Sequence, residues 1–365
     1  MATYHYDSQY PSKYARPKTR KPMRAWLVVC LDVLAICVAM GIFELYHHVL
    51  PRPGVATLKI VDMPPAHTSS PYTYDTAGAP TQASANNNAE ITVTSAQAPA
   101  DDTSDAPAKA VAAMNKPVYG SFMDSFPNYD TGVGADLSYQ SDTIRIAIRK
   151  YSENGIAYQV ADIWINDISS FRTAFAKDQY GIGIHDGFLT TSRANEAIVS
   201  INGDYYGARQ KGVVIRNGML YRDSVNGDVC VLYEDGVMET YTASEFNIND
   251  AVSRKAVQAW NFGPHLLEGG QPMTKFNSTV GVANPRAAIG YYEPGHYCFV
   301  TVDGRQAGYS KGMTMTQLSQ LFYDLGCVAA YNLDGGQTAM MAFQGELVNK
   351  PYNGGRPSSD IIYIK

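Results

Sequence analysis

The chain is short of charge and of tryptophan: 17% of its 365 residues are Asp, Glu, Lys or Arg, and only 3 are Trp. The net charge is −5. Its basic residues gather at the N-terminus, which leaves no folded basic face for nucleic acid. Cysteine is also scarce, with 5 residues and no metal-ligand spacing among them. Cys30 and Cys37 fall in an apolar run, while Cys230, Cys298 and Cys327 lie outside it, with Val229, Val231 and Val328 as apolar neighbours. Buried structural thiols are expected, and a cysteine nucleophile is not. The sequence has no internal repeat and no calcium-loop pattern.

What is abundant is apolar and aromatic surface. Hydrophobic residues make up 45% of the chain, enough for a sizeable core, and tyrosine is frequent at 26 against 12 Phe. Tyrosine suits both strand-rich folds and carbohydrate-facing surfaces. The N-terminal third divides by composition. Residues 1–24 carry Lys13, Arg16, Lys18, Arg20, Lys21 and Arg24 among Tyr, Pro and Ser, a basic cytoplasmic tail. Residues 25–43, AWLVVCLDVLAICVAMGIF, hold one charge, Asp32. A bilayer core needs roughly 20 apolar residues as a helix, so this run predicts one transmembrane signal anchor. The basic flank puts the N-terminus in the cytoplasm and the remainder outside. A cleavable signal peptide is the competing reading, and no convincing A-x-A site follows Phe43 to support it. Residues 44–118 turn to Ala, Thr, Pro, Ser and Asn, and are expected to form a disordered extracytoplasmic linker.

From residue 119 to 365 strand and turn signals predominate. Ile144, Ile146 and Ile148 alternate with Arg145, Ala147 and Arg149, and Asn154-Gly155 then turns the chain into Ile156–Ile165, a β-hairpin pattern. Arg216-Asn217-Gly218 and Glu234-Asp235-Gly236 mark two more. The best helix runs from Met315 to Leu325: Thr314 and Gln317 fit a capping box, Leu318, Leu321, Phe322 and Leu325 form a stripe, and Gly326 fits a C-terminal cap. The expected fold is a mixed α+β, strand-rich single domain with few helices.

Five polar islands interrupt the apolar strands: Asn202-Gly203-Asp204 with Tyr205 and Tyr206; Phe262-Gly263-Pro264-His265; Asn284-Pro285-Arg286; Asp303-Gly304-Arg305 with Lys311 after it; and Tyr331-Asn332-Leu333-Asp334-Gly335-Gly336-Gln337-Thr338. Each has a plain explanation as a turn, a surface ion pair or a satisfied histidine. Together, at strand ends, they offer the carboxylates and cations that a reaction cleft needs.

From Asn284 onward, the succession NPRAAIGYY, VDGR, the capped helix and YNLDGGQTAMMAF resembles the phosphodiester glycosidase family, with SINGDYY matching an upstream block and RPSSDIIYIK a closing strand. The resemblance covers about Ala194 to Lys365. It departs at Gln337 and Thr338, where the family usually has a third Gly and a Ser, and at Asp204, which replaces a Gly. It implies hydrolysis of a glycan carrying a sugar-1-phosphate link, with a departing phosphate that needs little protonation. Arg286, Arg305 or Lys311 would hold the phosphate. Asp334 and Asp303 would serve the anomeric carbon, with His265 a candidate acid. Asn202 and Asn332 would orient hydroxyls, and Asp204, Gly335, Gly336, Gln337 and Thr338 complete the expected substrate site. No cofactor is required by this chemistry. A calcium or magnesium ion held by Asp204, Asp303 or Asp334 is the alternative. Two rival functions stay open: a non-catalytic glycan-binding or polysaccharide-assembly module, and a glycosidase or transferase acting on a non-phosphorylated glycan.

Overall fold

The computed structural model describes residues 25–46, 50–63, 122 and 124–365. The predicted basic tail, and the predicted linker from residue 64 onward, lie outside the described residues. Two units are distinguished, Met1–Leu50 and Pro51–Lys365.

In the first unit a helix spans Ala25–Glu44, and Leu31, Val33, Leu34, Ile36, Val38, Met40 and Ile42 are exposed along it. Among the described residues no helix is long and apolar enough to cross a membrane. The side chains of Ala25 and Val28 are outside the described set.

The second unit begins earlier than the sequence predicts. Arg52–Pro53 pairs with Gly181–Ile182, and Leu58–Lys59 pairs with Met219–Leu220. Val61 is buried in the core. The stretch Leu58-Lys59-Ile60-Val61 carries enough apolar surface to dock as an edge strand, which corrects the start of the predicted linker.

Three large antiparallel sheets build this unit, with two two-stranded pairs beside them among the described residues. The first, of six strands, runs in the order Ala329–Asn332, Arg286–Glu293, His296–Val302, Ile156–Ile165, Ile144–Glu153, Leu137–Gln140. The second, of five strands, contains Phe171–Phe175, Val199–Asn202, Met341–Phe343, Glu346–Leu347 and Asp360–Ile364. The third, of six, contains Leu58–Lys59, Val214–Arg216, Met219–Arg222, Val229–Tyr233, Met238–Tyr241 and Ala256–Trp260. The hairpin signals at Asn154-Gly155, Asn217-Gly218 and Asp235-Gly236 all join paired strands, the first two with both turn residues at positive φ.

Alternation along the strands gives each sheet two apolar faces. One face of all three sheets points into a common core: Ile163, Ile289 and Phe299 from the first, Val199, Ile201 and Ile362 from the second, Cys230, Leu232 and Trp260 from the third. The opposite face of each sheet packs in a cluster of its own with one helix. Met315–Asp324 covers the first sheet through Leu318 and Phe322, Phe188–Ala194 lies with the second, and Ile248–Ser253 with the third. The helix Met315–Asp324 has the expected reciprocal capping box between Thr314 and Gln317, and it stops at Gly326, whose φ is +85°. Its Leu318 and Phe322 are fully buried, worth roughly 1.5–3 kcal/mol each. Cys230, Cys298 and Cys327 are buried free thiols, with the Cys298 and Cys327 sulfurs 3.7 Å apart above Gly290.

Candidate active site

Register decides which motifs meet. In the first sheet the strand Arg286–Glu293 pairs Ala288 with Asn332 on one side and Arg286 with Val302 on the other. Continuing those pairings sets Asp334 opposite Arg286 and sends Asp303-Gly304-Arg305 out beside the same strand end. In the second sheet Asn202 pairs with Ile361, so Gly203 and Asp360 leave together. The two ends then join. The Asp334 amide donates to Gly203 O at 3.3 Å, and Asn202 Nδ2 donates to Asp334 O at 2.7 Å and to Gly203 O at 3.1 Å. Asn202 Oδ1 accepts from the Met340 amide at 3.1 Å. This wholly buried amide is thus a clamp between two sheets.

The glycines permit close approach. A Cβ on Gly335 would stand 2.7 Å from Pro285 O, and one on Gly203 would stand 2.0 Å from Asp360 Oδ1. Gly336 donates its amide to Pro285 O at 2.9 Å and has a φ of +63°. Asp334 itself is half-buried. Burial pushes its carboxyl above the usual range, and the Thr338 hydroxyl and Arg356 pull back against that shift. Arg356 Nη2 reaches Asp334 Oδ2 at 3.1 Å.

Two arginines converge beside this turn without a carboxylate of their own. Arg286 is buried and donates only to backbone carbonyls: Nε to Met313 O at 3.1 Å, and Nη2 to Val280 O at 2.9 Å and Val282 O at 2.7 Å. Burial and the nearby charge of Arg305 push its pKa down to about 10. Arg305, exposed and at φ +58°, donates Nε and Nη2 to Asn284 Oδ1 at 3.0 and 2.8 Å. Its guanidinium lies within 3.4 Å of where a Gly336 Cβ would be. Two neighbouring cations paired only with neutral oxygens form a place for an anion. Lys311 is exposed; its amide donates to Gly155 O at 3.0 Å, and its ammonium joins no ion pair among the described residues.

The other predicted carboxylates are engaged in the framework. Asp303 accepts from Asn349 Nδ2 at 2.8 Å, Tyr309 OH at 2.8 Å, the Lys350 amide at 3.1 Å and Gln159 Nε2 at 3.4 Å. Asp204 accepts from Arg216 at 3.0 Å and from the amides of Tyr206 and Asn261, both at 3.1 Å. Arg216 also meets Asp360 at 2.9 Å and donates to Ala259 O, so one buried cation ties the third sheet to the second. Asp360 Oδ1 has no partner, and burial pushes its carboxyl up to about 7 against the pull of Arg216. His265 is buried with Nδ1 2.8 Å from Asp228. Burial raises the Asp228 pKa, but the His265 hydrogen bond and charge outweigh it and the net shift is downward. His265 lies across from Tyr331, and Asn332 Nδ2 donates to Gly263 O at 3.3 Å, leaving Asn332 Oδ1 buried without a partner.

Sequence reasoning did not find Arg356, Asn284 as the partner of Arg305, or the Arg216–Asp360 pair. Arg356 had a faint signal as a cation in a Gly-rich loop, whereas the partners of Arg216 are far away in the chain. Gln337 is explained: its Nε2 donates to Gly355 O at 3.0 Å and fastens the loop that presents Arg356. Among the described residues no group of three or more His, Cys, Asp or Glu side chains is placed to hold a metal ion.

Residues 195–365 match the model of the phosphodiester glycosidase family. Among curated proteins it is similar to the SPbeta prophage-derived uncharacterized protein YomE of Bacillus subtilis (strain 168), 29% identical over 185 residues, which is 48% of this chain and 29% of that protein. The chain therefore spans under a third of that relative's length. Among solved structures it is similar to the catalytic domain of zebrafish N-acetylglucosamine-1-phosphodiester alpha-N-acetylglucosaminidase, auto-inhibited by its pro-peptide. That match has a TM-score of 0.51 and 19% identity, and covers 65% of this chain and 94% of the zebrafish domain. At this identity the match establishes a shared fold.

Proposed function

We propose that the folded unit hydrolyses a glycosyl-1-phosphodiester bond in a cell-envelope or exopolysaccharide glycan. The observation that carries this is the pair Arg286 and Arg305, both without a carboxylate partner among the described residues, beside the Gly335-Gly336 turn that presents Asp334. The family, and the diester named for the zebrafish neighbour, support the same bond.

The chemistry follows from the donors present. A phosphodiester leaving group is already a weak base, so cations can stabilise its departure where an ordinary glycoside requires a proton. Arg305 binds the phosphate oxygens from the open side. Arg286 supplies fixed positive charge from beneath, its guanidinium oriented by three carbonyls. Asp334 serves the anomeric carbon, as nucleophile or as base toward water. Asp303, ringed by four donors, holds Asn349 and the loop around it, and Asp204 holds Arg216. His265, oriented by Asp228, remains the candidate acid–base group for the far side of the sugar. No step requires a metal ion.

Attachment to the membrane belongs to the same proposal. Its support is the 19-residue apolar run with basic residues before it and a polar linker after it. Retention of the full chain in the pellet after carbonate washing is the expected outcome, and release into the supernatant counts against the anchor.

The catalytic test uses the full chain and a simple glycosyl-1-phosphodiester. Asp334→Asn should lower kcat by about 10²–10⁴-fold with an unchanged circular dichroism spectrum. Arg305→Met should raise KM on the diester. Undiminished turnover by a folded Asp334→Asn chain removes that residue from the reaction, and equal activity of Arg305→Met on neutral glycosides and diesters removes the phosphate.

A further inference from the structure

Beyond Asp334 the surface continues into a ledge that the proposed hydrolysis does not use. Tyr205 and Phe262 are both half-buried, with ring centroids 6.0 Å apart and planes at 78°. Arg209 lies over both, 5.5 Å from the Phe262 centroid and 6.0 Å from that of Tyr205. Arg356 lies 5.7 Å over Tyr205 while its Nη2 touches Asp334. Two guanidinium groups therefore flank one tyrosine, and the row leads directly to the candidate carboxylate. Both arginines are exposed, and Arg209 has no carboxylate partner among the described residues.

The ledge stands on a rigid base. Tyr205 follows Asp204 and Phe262 follows Asn261, and the Asn261 amide donates to Asp204 Oδ2 at 3.1 Å. The Asn261 side chain is itself saturated. Its Oδ1 accepts the amides of Val213 and Asn226, each at 2.9 Å, and its Nδ2 reaches Asp228 O at 2.6 Å. Both aromatic rings are thus carried by backbone that buried polar groups hold in place, and little ordering remains to oppose a ligand. Asp204, the residue that departs from the family's glycine, is part of this base.

We propose that this ledge is a subsite for the next unit of an anionic glycan: a sugar ring packs on Tyr205 and Phe262, and its negative substituent, a phosphate or a uronic carboxylate, meets Arg209. A sugar ring against the aromatic pair, with the unpaired guanidinium of Arg209 beside it, fits that ligand, and the cation repels a positively charged one. The inference rests on the proposed active site at Asp334 for its polarity along the chain, since the ledge extends from the bond to be cut.

Equilibrium binding tests it apart from turnover. A phosphorylated disaccharide, a uronic-acid disaccharide and their neutral parent are titrated against the full chain in detergent micelles, wild type and Arg209→Gln. At least one anionic disaccharide should bind about five- to tenfold more tightly than the neutral one, and Arg209→Gln should erase the difference. The tighter of the two anionic ligands identifies the substituent. Equal binding of all three, or a preference that survives Arg209→Gln, overturns the proposal. Cleavage of a short-chain diester is followed in parallel: its absence counts against the hydrolase reading, and the binding result still decides the ledge.

Discussion

Replacing Arg216 by Met tests how the floor of the site is held. Arg216 is fully buried, its Nη2 is 3.0 Å from Asp204 and its Nε is 2.9 Å from Asp360, and both carboxylates are buried too. Removing the cation strands two acids in a medium that solvates charge poorly, and breaking such a pair costs about 3–5 kcal/mol. The cost depends on pH in a defined direction. Without Arg216 the buried Asp360 carboxyl retains a proton that the unfolded chain, with an Asp pKa of about 3.9, has already shed. The folded state then binds more protons than the unfolded one, so the variant loses stability as pH rises. In the intact protein Asp360 already behaves this way: with its carboxyl pushed up to about 7, its contribution is greatest below about pH 4 and declines as pH rises through 7. Urea unfolding followed by tryptophan fluorescence is the assay, because Trp260 is buried and its ring lies 5.8 Å from the Arg216 guanidinium. Arg216→Met should lose about 3–5 kcal/mol at pH 8 and clearly less at pH 5.5. Adding Asp204→Asn and Asp360→Asn should restore most of the loss. A loss below about 1 kcal/mol at pH 8, or one equal at both pH values, refutes the reasoning.

Two further substitutions separate framework from chemistry. Asp303→Asn puts an amide NH₂ where four donors now converge, so the midpoint of thermal unfolding should fall by the equivalent of about 1–3 kcal/mol while kcat of the folded protein stays near wild type; a fall in kcat by a factor of 10² or more at unchanged stability would instead place Asp303 in the reaction. Gly335→Ala sets a Cβ 2.7 Å from the Pro285 carbonyl, so the turn must shift and Asp334 with it; kcat should fall by about 10²-fold, and a fully active variant would show that the turn tolerates movement.

Local features were legible in the sequence because local chemistry determines them. The capping box at Thr314, the stop at Gly326 and the hairpins at Asn154-Gly155 and Asn217-Gly218 depend on residues within a few positions of one another. Gathering Asn202, Arg286, Arg305 and Asp334 at adjoining strand ends was also foreseeable in outline, since each ends or begins an apolar run. The different surroundings of the carboxylates were not. Asp303 and Asp334 both precede glycine after an apolar strand and look alike in sequence. What distinguishes them is Tyr309, Asn349 and Gln159, brought to Asp303 by strand register and loop return. Asp204 presents the same difficulty, because its counter-ion Arg216 and the competing acid Asp360 sit on different sheets. The edge strand Leu58–Lys59 was missed because two paired residues give too short a pattern to register against a polar neighbourhood.

The Asn202 clamp has a consequence for how this molecule fails. Its amide spans the seam between two sheets, accepting from Met340 on one and donating to the carbonyl of Asp334 on the other. The position of Asp334 is therefore a gauge of how the sheets are seated on their common core, and a core substitution that slides one sheet by a fraction of an ångström moves the carboxylate before any strand unpairs. Heating or mild denaturant should accordingly silence the protein ahead of its unfolding transition, with activity as the more sensitive reporter of core damage.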